Sequence, residues 1–98
     1  LEDVIYLEKN LQKLLIYTSS RQVQMYCKME DIKPYLDDRF LFCHRSYSFN
    51  MDKVVSLRDQ TIFLEKHNTV TLGRETFRKA KRIYEGYIEK KGEQEYIL

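Results

Sequence analysis

Three polar places in this chain carry side chains suited to chemistry. His44-Arg45-Ser46 sets an imidazole, a guanidinium and a hydroxyl in a row. Lys9, Gln12 and Lys13 share one short polar stretch. Gly73-Arg74 leads into a basic run of Arg78, Lys79, Lys81 and Arg82. Arg is the natural reader of guanine, and Gln and Lys also pair with base edges. Backbone amides and hydroxyls near Ser46 suit phosphate oxygens. Each place alone is more simply a solvated loop. Together they make a cationic surface if the fold brings their ends to one side.

Catalysis is poorly supported. His44 has the chemistry of a base, and Cys43 beside it that of a nucleophile. Adjacent residues on a strand point to opposite faces, so the two do not form a dyad. His44 reads as a hydrogen-bonded structural residue and His67 as an exposed turn residue. A helix-ending turn explains Asp37-Asp38. No Gly-rich phosphate loop and no metal-ligand spacing occurs. Cys27 and Cys43 lack the paired spacing of a zinc site. They read as small core residues of a reduced, cytoplasmic protein. The sequence therefore predicts no catalytic, metal or cofactor-binding residue.

Ninety-eight residues suffice for one domain and not for two. Residues are 43% hydrophobic and 13% aromatic, material enough for a core without Trp. Three Gly and one Pro argue against low complexity. Seventeen Lys and Arg against fifteen Asp and Glu leave a formal net charge of +2. So small an excess is weak support for a nucleic-acid partner, and a cationic patch has to come from local clustering. No stretch approaches the length of a membrane span, and no signal peptide is visible. A first residue of Leu1 rather than Met reads as a piece of something longer.

The elements that must position these residues are mostly strands. Val4-Ile5-Tyr6-Leu7 and Leu14-Leu15-Ile16-Tyr17 are apolar runs suited to buried strands, joined by the polar connection Glu8 to Lys13. Gln22 to Cys27 alternates, with Val23, Met25 and Cys27 on one face. The three predict an antiparallel meander. Met29, Ile32, Tyr35 and Leu36 then fall at helical spacing, with Pro34 as a complication. Arg39 to Asn50 reads as two strands around the charged apex His44-Arg45-Ser46, the second half-buried through Tyr47 and Phe49. Val54 to Leu57, Thr61 to Leu64 and Thr69 to Leu72 are short strands separated by small turns. Phe77, Ala80, Ile83, Tyr84, Tyr87 and Ile88 share one helical face. That helix is secure from Glu75 to Glu85, with Gly73 as its N-cap, and Gly86 interrupts its pattern.

Leu36, Arg39-Phe40, His44-Arg45-Ser46-Tyr47 and Asn50, followed by Val54-Val55, resemble the core signature of the LytTR-type DNA-binding domain. That domain ends many bacterial response regulators, including the AgrA and VirR types. The resemblance takes in Val4 to Glu8 upstream and Arg74 downstream, roughly Asp3 to Tyr84. It implies a mainly β fold: an elongated set of small antiparallel sheets with one short helix, here with a C-terminal helix added. Residues 1–91 would be the domain and 92–98 a tail.

The resemblance also implies a function. Loops of the family enter successive major grooves of promoter DNA, usually at direct repeats. By position, Arg45 is the apex reader with Ser46 on phosphate, and Arg74 is the C-terminal reader. The loop after Glu8 supplies the third, Lys13 first and Gln12 next. The implied partners are double-stranded promoter DNA, an N-terminal receiver domain in the full-length protein, and a second copy forming a dimer on DNA. Two departures stand out. Gly73 replaces the Ser the family often has before the Arg, and the C-terminal helix is longer than usual. Cys43 falls where some relatives carry Cys, and a regulatory Cys27–Cys43 disulfide is a further hypothesis. Two other functions stay open. One is a protein-interaction module docking through the helix from Phe77 to Ile88, and the other is an RNA binder stacking bases on Tyr.

Overall fold

The computed structural model describes residues 1–97, the last five as helix backbone only. The expected meander is present as β1 (Val4–Asn10), β2 (Lys13–Thr18) and β3 (Gln22–Met25). β4 (Phe40–His44) and β5 (Tyr47–Asn50) form a hairpin, and β5 pairs with β1. The result is a five-stranded antiparallel sheet of order β3-β2-β1-β5-β4. β6 (Val54–Arg58), β7 (Thr61–Leu64) and β8 (Asn68–Thr71) make a second antiparallel sheet. α1 (Met29–Ile32) follows β3, and α2 (Arg74–Ile97) closes the chain. The molecule measures 42 × 30 × 24 Å, in keeping with an elongated, mainly β architecture.

Both faces of the large sheet are covered. On one, Leu7, Leu14 and Phe40 are buried beneath Met29, Ile32 and Leu36 from the α1 segment. On the other, Ile5, Tyr6, Leu41 and Phe49 meet Ile62, Leu64 and Val70 of the small sheet and Ala80 of α2. Phe77, Tyr84 and Tyr87 pack against that second cluster. The aromatic face of α2 is thus engaged with its own domain.

Several elements differ from the sequence-based expectation, each for a physical reason. The stretch after Glu8 is not a loop: β1 continues to Asn10 and β2 begins at Lys13, leaving a two-residue turn. β3 stops at Met25 instead of reaching Cys27, and Met25, expected on one face with Val23 and Cys27, is exposed. The short helix splits. Its α-helical part ends at Ile32, and a 3₁₀ turn over Lys33–Tyr35 takes Pro34 into its first turn. A missing N–H and a fixed φ are tolerated there. β5 is not half-buried. It lies between β1 and β4, so Ser48, Phe49 and Asn50 are all buried. Buried Asn50 is satisfied locally, donating to the Val4 carbonyl at 2.7 Å and accepting from the Asp52 N–H at 3.0 Å.

α2 outruns the segment Glu75 to Glu85. It passes through Gly86 and is anchored beyond it, because Tyr87 donates to Asp52 Oδ1 at 2.8 Å and Lys91 pairs with the same oxygen at 2.7 Å. The Phe77 N–H donates to the Gly73 carbonyl at 2.8 Å, which fits Gly73 as the residue that opens the helix. The tail expected from Gly92 continues the α2 backbone to Ile97, and Leu98 lies outside the described residues.

Candidate nucleic-acid interface

The apex residues sit where the sequence pattern puts them. Arg45 and Ser46 form the turn between β4 and β5, with His44 paired to Tyr47 across it. Two bonds hold the turn. The Ser46 N–H donates to His44 Nδ1 at 3.0 Å, and the Lys9 N–H donates to the Ser46 carbonyl at 2.7 Å. His44 is therefore a structural residue, its Nδ1 accepting from the backbone of the turn. An aromatic ladder stiffens the frame behind it. Tyr17 stacks on Tyr6 at 4.3 Å between ring centres, Tyr6 on Phe49 at 6.1 Å, Phe49 on Tyr47 at 5.8 Å, and Tyr47 meets His44 at 5.4 Å. Tyr47 and Phe49 are neighbours on β5, and the other three pairs run across strands, where such pairs stabilise a sheet and fix its register. Arg45 is exposed at the end of this ladder and makes no ion pair among the described residues.

Register brings the second place beside the first. Glu8 pairs with Tyr47, so the end of β1 lies next to the start of β5. The Leu11-Gln12 turn therefore projects from the same end of the sheet as Arg45. Gln12 is exposed at the tip. Lys13 is half-buried as the first residue of β2, with its ammonium 5.8 Å from the centre of the Tyr26 ring. Of the two residues expected in the loop after Glu8, Gln12 lies in the turn and Lys13 opens β2.

The third place arrives by way of α2, which packs against β4 in the opposite direction. Cys43, near the end of β4, shares a cleft with Thr76, Lys79 and Arg82. Arg39, just before β4, shares another with Tyr87 and Lys91. The start of α2 therefore lies beside the apex, and Arg74 is exposed at the same end as Arg45 without an ion pair among the described residues. The Asp59-Gln60 turn between β6 and β7 joins them, since Leu72 and Gln60 exchange hydrogen bonds of 2.9 and 3.1 Å. A net charge of +2 thus conceals an uneven distribution.

Two cations escaped the sequence reading. Lys28 and Lys33 border a groove beside Arg45 that also takes in Lys9 and Phe42. Lys33 lies 4.9 Å over the Phe42 ring, and Lys9 Nζ donates to the Cys27 carbonyl at 2.9 Å. Nothing local in the sequence ties the α1 segment to the apex, because their contact runs through β4. Cys27 and Cys43 are free thiols packed against different core clusters, which separates them by the sheet itself. Burial pushes the Cys43 thiol above its usual range, against the nearby charge of Lys79.

A mainly β domain that presents arginines without an ion pair among the described residues, one from a turn and one from a helix start, at one end is built like a nucleic-acid reader. The family model described as the LytTr DNA-binding domain matches residues 1–85. The chain belongs to that family and is a DNA-binding domain of its kind. Among solved structures, it is similar to the LytTr DNA-binding domain of a methyl-accepting/DNA response regulator from Bacillus cereus. The TM-score is 0.70 at 17% identity, over 84% of this chain and 81% of that one. At that identity the likeness is one of fold. No curated protein matches. No helix among the described residues is long and apolar enough to cross a membrane.

Proposed function

We propose that the chain binds double-stranded promoter DNA in a sequence-specific manner, as the output domain of a two-component response regulator in the cytoplasm. The observation that carries this reading is the convergence of Arg45, Gln12 and Arg74 on one end of the fold. Arg45 and Arg74 read guanine edges through their bidentate guanidinium forks. Gln12 reads ahead of Lys13, because it is exposed while the lysine is held against Tyr26. Lys13 and the Ser46 hydroxyl bind phosphate and set the register. Two turns and the start of α2, at one end of the fold, suit entry into successive major grooves. Two copies, brought together by a receiver domain preceding residues 1–91, would occupy direct repeats.

Of the α2 face from Phe77 to Ile88, Phe77, Tyr84 and Tyr87 pack against the core while Ile83 and Ile88 are exposed, so the aromatic residues of that face are engaged with the domain itself. Selection from random duplex DNA, with Arg45→Ala in parallel at two salt concentrations, tests the proposal. Enrichment of a repeated motif that is lost in the variant and weakened by salt is expected. Absence of enrichment at either salt would overturn it.

A further inference from the structure

The tip of the β1–β2 turn carries a residue the fold does not ask for. Leu11 is 90% exposed and has a φ of 58°. Gln12 beside it is not among the positive-φ residues, so only the first central residue of the turn is left-handed. A positive φ at the first central position of a two-residue hairpin turn ordinarily belongs to Gly, Asn or Asp. A Leu there is disfavoured twice, by the clash of its Cβ with the backbone and by the apolar surface it leaves in water. No core residue packs on it. Gly or Asn would serve the turn better.

The surroundings supply a reason. Leu11, Gln12, Lys13 and Tyr26 line one open concavity. Tyr26 is 76% exposed, and Met25, paired with Leu14 beside the turn, is 40% exposed. An apolar tip with a cationic and an amide neighbour therefore projects from the end that carries Arg45. In the major groove the C5 methyl of thymine is the apolar handle on a base edge, and Gln is the side chain that pairs bidentately with adenine.

We propose that the Leu11-Gln12 turn is an A·T reader, with the Leu11 side chain packed on a thymine methyl and the Gln12 amide on an adjacent adenine. This deepens the DNA-binding reading and rests on it. Removing one buried methyl should weaken binding by on the order of fourfold.

The test uses the 98-residue chain and the duplex enriched from the random pool. Each thymine is replaced in turn by deoxyuridine, which keeps base pairing and removes only the methyl. Affinity is read by fluorescence anisotropy. One or two positions should lose roughly fourfold with the parent chain. Leu11→Asn, which suits the turn, should be indifferent to the same replacements. Equal affinity for every deoxyuridine duplex would overturn the proposal, as would undiminished sensitivity in Leu11→Asn. In both cases Arg45-dependent binding to the thymine duplex would leave the DNA reading standing. Failure to bind any duplex would remove both.

Discussion

The Lys9 N–H donates to the Ser46 carbonyl at 2.7 Å, and this one bond couples two turns far apart in the chain. Lys9 belongs to the strand that ends in the Leu11-Gln12 turn, and Ser46 to the turn that presents Arg45. His44 holds the other side of Ser46 through its Nδ1. The apex is therefore pre-organised, and a pre-organised reader loses less conformational freedom on binding.

His44→Ala should loosen that apex. A net hydrogen bond is worth about 0.5–1.5 kcal/mol, and specific DNA affinity should fall by about that much. Melting temperature should fall by only about 4–8 °C per kcal/mol lost, because the bond to Ser46 and the ring contact with Tyr47 are lost while the core clusters, which do not include His44, stay intact. Titrations of both proteins with the selected duplex, beside circular dichroism melts, check this. A larger fall in melting temperature would make the residue a core element.

Arg45→Ala and Arg74→Ala should each lose about 1–3 kcal/mol of specific binding and relax preference at the base each one reads. Lys13→Ala should weaken all duplexes alike and reduce the slope of log K against log salt by about one. Salt titrations on matched and scrambled duplexes separate the two behaviours. A lysine variant with altered base preference would restore Lys13 as a base reader.

Phe40→Ala should cost about 3–5 kcal/mol of stability, since Phe40 is only 6% exposed beneath the α1 segment. Urea unfolding measures it. A wild-type midpoint would mean that this cluster contributes little to the fold.

Asp52 links stability to pH. Burial raises its carboxyl pKa, but hydrogen bonds from Lys91 and Tyr87 outweigh that and leave it below the usual carboxylate range. A carboxyl whose pKa is lowered by folding stabilises the folded state above its unfolded value. That contribution disappears as pH falls through the lower, folded value. Asp52→Asn should therefore destabilise at pH 7 and lose its effect well below the carboxylate range. The carboxylate is partly exposed, so the difference should stay under about 1 kcal/mol. Urea melts of both proteins across that range decide it, and a constant difference at all pH values would sink the assignment.

Gly86→Ala should stabilise α2 by about 0.5–1 kcal/mol, because a Cβ there meets nothing within 4 Å and the backbone is already helical. Helicity and melting temperature should both rise. A fall would show that Gly86 serves something other than the helix.

Periodicity along the chain was enough to locate most strands, the apex around Arg45 and the amphipathic start of α2. Those are local properties: alternation, apolar runs and turn residues are visible within a few positions. The motif around His44-Arg45-Ser46 carried the resemblance to the family for the same reason. What the tertiary structure decided was pairing between distant segments. β5 became central only because it docks on β1, and that docking buried Ser48 and Asn50, which a single strand's pattern reads as outward-facing. Leu11 emerged at a turn tip only when Asn10 was seen to pair with Lys13. The common end shared by Arg45, Gln12 and Arg74 depends on strand register and on the direction in which α2 crosses β4. Neither is written in any stretch short enough to read alone, because each depends on which surfaces bury best against one another across the whole fold.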